Sequence, residues 1–142
     1  MAKGAEPLFI NINEITYKLG PVFKDKDLKL ALLFGSAVSE KTHKQSDTDL
    51  AFLFDNPIDI LALTNRVIRL LHTDRIDVVD LKRASPLLRF SIAKNSRLLY
   101  EREKGAFNQF YSLAFRMYVD AKKLRDARAT AIQRFLKARG LA

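Results

Sequence analysis

Cysteine and tryptophan are both missing from this 142-residue chain, and histidine occurs only twice, at His43 and His72. Without cysteine there is no disulfide and no thiolate metal site, and two histidines so far apart in sequence do not suggest a zinc centre. The cysteine count fits a reducing compartment. Long apolar runs are also absent. No stretch approaches the roughly 18–20 apolar residues of a membrane span, and the opening Met1-Ala2-Lys3-Gly4-Ala5-Glu6 carries no apolar signal core. A soluble, untargeted, cytoplasmic protein with no membrane partner is the expectation. Nor is there an internal repeat, a low-complexity run or a linker, so residues 1–142 read as a single domain, long enough to bury about two thirds of its unfolded surface.

Acidic residues are the minority charge, 16 against 25 basic ones, for a formal net charge of +9. Such a surplus favours an acidic partner, whether nucleic acid, nucleotide or protein. Its placement is uneven. The last 21 residues hold Lys122, Lys123, Arg125, Arg128, Arg134, Lys137 and Arg139 against a single anion, Asp126, and so carry +6 of the total. The surplus belongs to one terminal segment.

What is present is a pair of short apolar runs with carboxylates at the mouth of the second. Residues 30–34 run apolar into Gly35-Ser36, and after ten mostly polar residues Asp47-Thr48-Asp49 leads into Leu50-Ala51-Phe52-Leu53-Phe54. Runs of this length bounded by turn signals suit strands buried on both faces. Alternation along a strand sends Asp47 and Asp49 to the same side, about 6.5–7 Å apart along the chain. Like charges held so close repel each other unless a cation lies between them. Oxygen-only ligands favour a hard divalent ion such as Mg²⁺, which takes its other ligands from water and substrate phosphates.

The Gly-Ser pair, the ten-residue gap and the DxD after it resemble the signature of the DNA polymerase beta-like nucleotidyltransferase superfamily. Within it, the short chain resembles the minimal nucleotidyltransferases that act as antitoxins to HEPN-domain toxins. The residues that match are Gly35, Ser36, Asp47 and Asp49, with Ser46 completing an SDxD pattern. Ala37-Val38-Ser39-Glu40 stands where such chains often carry a small-Arg-Gly run. The resemblance implies a nucleotidyltransferase fold, α/β in class (α+β), with a small mixed sheet, packed helices and a long C-terminal helix. It also implies that Gly35, Ser36 and Ser46 contact the nucleotide while Asp47 and Asp49 hold Mg²⁺, with two metal sites expected. ATP would be the substrate, and AMP would pass to a hydroxyl, a tyrosine by expectation, of a cognate HEPN ribonuclease toxin in a hetero-oligomer. Two other readings stay open: a non-catalytic toxin- or RNA-binding module with a vestigial nucleotide site, for which the 37–40 departure speaks, and a small-molecule nucleotidyltransferase, which the lack of room for a second domain disfavours. RNA is a secondary candidate partner.

In chain order, residues 12–23 have a helical period that Pro21 should break or end. A strand over 28–34 precedes the polar loop. After the second strand a helix is expected over 57–72, with Pro57 in its first turn and His72 near its C-terminus, where the helix dipole favours a cation. The next strand, 75–81, carries Asp77 and Asp80. Three positions apart on a regular strand, they face opposite ways. Asp77, flanked by Ile76 and Val78 in an apolar strand centre, is chosen as the third site acid, catalytic or metal-binding, as the resemblance implies for that strand; Asp80 is left to cap the following helix. The strand–helix–strand order suits a crossover connection. Ser85 should cap a helix beginning at Pro86, a short strand comes next over 97–100, and a helix over 104–138 completes the chain. Its aromatic first half should pack on the domain and its basic second half should project or meet a partner. His43 reads as a solvated loop residue.

Overall fold

The computed structural model describes residues 11–35 and 47–141. Ser36, Ser46, His43 and the 37–40 departure therefore lie outside the described residues. Two short helices open the fold, α1 (Ile12–Lys18) and α2 (Gly20–Phe23). Asn11 caps α1 by accepting the Glu14 amide, and Pro21 sits in the first turn of α2. The single helix ending at Pro21 thus becomes two: proline lacks the amide that a helix interior needs, but it fits the first turn, where no donor is required.

Strand β1 (Leu28–Phe34) pairs antiparallel with β2 (Thr48–Phe54). Helix α3 (Ile60–Leu71) then crosses to β3 (Ile76–Asp80), which lies parallel to β2. Asp59 caps α3 through the Ala62 amide, so the helix starts three residues after Pro57 and not at it. A carboxylate that satisfies an orphan amide sets the start more strongly than a proline does. At the other end His72 adopts a left-handed conformation (φ 58°) and donates its amide to Ile68, closing the helix through its backbone. Helix α4 (Pro86–Lys94) is capped by the Ser85 hydroxyl, which accepts the Leu88 amide. Strand β4 (Ser96–Glu101) returns antiparallel beside β1 and leads into α5 (Ala106–Ala138).

The sheet order is β3-β2-β1-β4, mixed as expected, with β1 and β2 in the centre. Their near-continuous burial explains why both read as apolar runs and not as alternating ones. One face packs on α1, α2 and α3 through Leu19, Val22, Leu50, Phe52, Leu63 and Val67. The other packs on α4 and α5 through Leu30, Leu32, Ala51, Ile92, Phe110 and Ala114. Only the first half of α5 reaches this core, and beyond Ala121 it leaves the domain with nearly every residue exposed. Among the described residues no helix is long and apolar enough to cross a membrane.

Candidate functional site

The end of β1, the start of β2 and the start of β3 meet at one end of the sheet. In the ladders, Phe34 pairs with Asp49 on one side of β2 and Asp77 pairs with Asp49 on the other. Parity then fixes the face. Thr48, Leu50 and Phe52 point to the α1–α3 side, so Asp49 and Ala51 point to the α4–α5 side. Asp77, in register with Asp49, shares that face, so the two carboxyl groups are neighbours across the ladder.

Asp49 is half-buried, whereas Asp47 and Asp77 are exposed. Burial pushes the Asp49 carboxyl up, and the negative charges of Asp77 and Asp47 push it further, from 3.8 to about 6. The sequence expectation for Asp77 needs correcting in one respect. It does not occupy an apolar strand centre; it is the second residue of an edge strand, solvent-accessible and reachable by a ligand. Asp80 does something different. Its carboxylate accepts the Lys82 amide in the turn after β3, so it caps that turn, and Ser85 caps the helix.

Gly35 closes the site from the β1 side. Its φ of +78° is a left-handed conformation that side chains rarely adopt, and a Cβ there would overlap Asp49 Oδ2 and stand 3.0 Å from Asp49 Cγ. Glycine is thus needed twice, for the turn and for the approach of a carboxylate to the backbone. The sequence assigns Gly35 only to the phosphate turn. Its contact with Asp49 comes from the Phe34–Asp49 register, for which the sequence carries no local signal.

A second feature has no counterpart in the sequence reading. On the opposite face of the sheet, Thr48 borders an open cleft of about 170 Å³ lined by Asn11, Glu14, Lys18, Leu71 and Thr73. It joins α1 to the α3–β3 turn, a long-range juxtaposition, and Asp49 and Asp77 lie on the other face of the sheet.

Among the described residues no three His, Asp or Glu side chains form a ready-made metal cage. Mg²⁺ does not require one, because it commonly uses one or two protein carboxylates and completes its octahedron with water and phosphate oxygens. Here the donors are all hard oxygens, and two neighbouring carboxylates leave Asp49 poorly balanced as an anion. That charge arrangement fits a divalent cation. Exposed carboxylates of this kind are chemically suited to hold a hard cation or to accept a proton.

Comparison with known proteins places the chain among nucleotidyltransferases. A profile described as "Polymerase beta, Nucleotidyltransferase" matches residues 17–105. The protein adenylyltransferase MntA of Aphanizomenon flos-aquae (strain 2012/KM1/D3) is 26% identical over 147 residues, covering 95% of this chain and 97% of the relative. A crystal structure of a toxin–antitoxin with AMP-PNP contains a chain that superposes with a TM-score of 0.71 at 26% identity, over 87% of this chain and 99% of that one. A toxin–antitoxin MntA–HepT structure gives a TM-score of 0.64 at 25% identity, over 86% and 96%.

Proposed function

The chain belongs to the polymerase beta nucleotidyltransferase family, and from that premise we propose that it is a single-domain adenylyltransferase that moves AMP from ATP to a hydroxyl of a HEPN ribonuclease toxin and so acts as its antitoxin. The observation that carries this reading is the pairing of Asp49 with Asp77 across the β2–β3 ladder, with Asp47 beside them and Gly35 pressed against Asp49. The similarity to an adenylyltransferase along nearly its whole length, and to an antitoxin chain crystallised with an ATP analogue, supports the donor and the partner class. Two complementary proteins imply a hetero-oligomer, and the cysteine-free sequence suits the cytoplasm.

In this mechanism Asp47 and Asp49 would hold Mg²⁺ and Asp77 would be available to a second ion; such an ion would supply positive charge against the negative charge of the triphosphate. Gly35, which has no side chain, lets the backbone approach the phosphates, and Ser36 and Ser46 are assigned to the same nucleotide contact. The acceptor hydroxyl oxygen attacks the α-phosphorus. An O–P bond forms, the bond from the α-phosphorus to the bridging oxygen breaks, and pyrophosphate leaves with the electron pair. Asp77, exposed on the edge strand, would take the hydroxyl proton or hold a second ion. Attack by a bulky protein acceptor requires accessible site residues, and the exposure of Asp47 and Asp77 supports that reading.

The test is incubation of the purified chain with labelled ATP, Mg²⁺ and the cognate HEPN toxin. Label should appear on the toxin, should require the divalent ion, and should vanish with Asp47→Asn. A wild-type chain that binds toxin but never labels it would leave only the non-catalytic reading.

A further inference from the structure

Among the described residues nothing outside the helix covers the second half of α5, yet it continues the seam that the first half buries. From the buried Phe110 and Ala114, alternating steps of three and four lead to Met117, Ala121 and Leu124, then to Arg128, Ala131 and Phe135. This is heptad spacing, the pattern by which one helix presents a continuous edge to another. Over the inner part the edge is covered by the sheet and α4. Beyond it, Leu124, Ile132 and Phe135 are 58%, 57% and 53% exposed on the same side. A 33-residue helix is about 50 Å long, so roughly half of it extends past the fold.

Charge restricts what can cover that edge. Residues 122–139 carry seven cations, and their one anion, Asp126, is already paired with Lys122 at 3.4 Å. Arg128 occupies a seam position itself. The guanidinium of Arg139 lies 3.7 Å from the centroid of the Phe135 ring, so the largest apolar side chain of the edge is flanked by positive charge. A second copy of this helix would set +6 against +6 and Arg128 near its equivalent. Nucleic acid would satisfy the cations and leave Leu124, Ile132 and Phe135 without a function. A helix with a matching apolar seam and acidic flanks satisfies both.

We propose that the second half of α5 is the docking helix for the toxin, laid along an acidic helical surface of that protein with Leu124, Ile132 and Phe135 as anchors and Arg128 facing a carboxylate. This rests on the antitoxin reading above and adds to it the place of contact, distant from the carboxylates that perform the transfer.

The experiment uses the full-length chain and purified cognate HEPN toxin, with two double variants. Leu124→Asp with Phe135→Asp breaks the seam, and Arg125→Glu with Arg128→Glu reverses charge beside it. All four positions lie on the projecting half of the helix, outside the core, so thermal unfolding should match wild type. The seam variant should bind toxin about tenfold or more weakly, mainly through faster dissociation. The charge variant should associate about tenfold more slowly at low salt and converge on wild type as salt rises. AMP transfer at saturating toxin should be retained in both, with the toxin KM raised. Wild-type toxin affinity in both variants overturns the docking site while leaving transfer intact, and so does loss of RNA binding with toxin affinity kept, or a wild-type dimer that the seam variant dissolves. Conversely, toxin binding that depends on α5 with no transfer by any variant would keep the docking site and refute the transfer reaction.

Discussion

Replacing Asp49 with asparagine should make the metal-free protein more stable while removing its activity. Asp49 is held half-buried beside two carboxylates, and its carboxyl is raised from 3.8 to about 6. A proton held more tightly in the folded state than in the unfolded chain means that stability falls as pH rises from about 4 through 6, and that the whole penalty is present above that range. A rise of this size corresponds to about 3 kcal/mol, and because the group is partly solvated, screening brings it to about 1–2 kcal/mol. An amide of the same shape carries no such proton, and its NH₂ can donate to the neighbouring Asp77 carboxylate. In EDTA at about pH 8, urea unfolding should therefore show Asp49→Asn more stable by about 1–2 kcal/mol, about 3–6 °C in melting temperature for a chain of this size. At about pH 5 the gain should fall to about half, because the wild-type carboxyl is then largely protonated in the folded protein. Adding Mg²⁺ should stabilise wild type more than the variant, since only wild type keeps both of the carboxylates proposed to hold the ion. An asparagine variant that is less stable at pH 8, or equally favoured at pH 8 and pH 5, would refute the argument that repulsion and burial dominate at this position.

Three further outcomes are expected from the geometry. Asp77→Ala should abolish AMP transfer with little loss of stability, whereas Asp80→Ala should keep transfer and cost about 1 kcal/mol for its lost turn cap; the reverse pattern in transfer kinetics would mean that the strand register is shifted by one. Gly35→Ala should cost about 2–3 kcal/mol from the left-handed backbone and the overlap with Asp49. Combined with Asp49→Ala it should cost less than the two single effects together, and strict additivity in chemical denaturation would argue against the contact. Ser85→Ala should destabilise by about 1 kcal/mol through loss of the α4 cap and leave transfer unchanged, which a melting curve and a labelling assay on one preparation can test.

Elements with a strong local cause are legible in the sequence. The two central strands show as apolar runs because both faces are covered, Ser85-Pro86 marks the start of α4 through a cap and a fixed φ, and the aromatic stripe of α5 marks its packed half. The start of α3 is misleading because Pro57 is the louder signal, while Asp59 makes the hydrogen bond. At the site, strand parity is enough to separate Asp77 from Asp80, whereas Asp47 stands one residue before β2, where the parity argument no longer applies. Parity cannot show that Asp77 lies on an edge strand or that Gly35 is pressed against Asp49. Both depend on which strands are neighbours and in what register, and contacts between residues far apart in sequence leave no periodic trace.

The position of β3 at the sheet edge has a consequence for handling the protein. A five-residue edge strand offers unpaired amides and carbonyls to any other exposed strand, and charges along it are a common protection against such pairing. Asp77 and Asp80 are the charged residues of β3. The acid assigned to chemistry thus also guards against aggregation, and an Asp77→Ala preparation made as an inactive control should self-associate more readily than wild type.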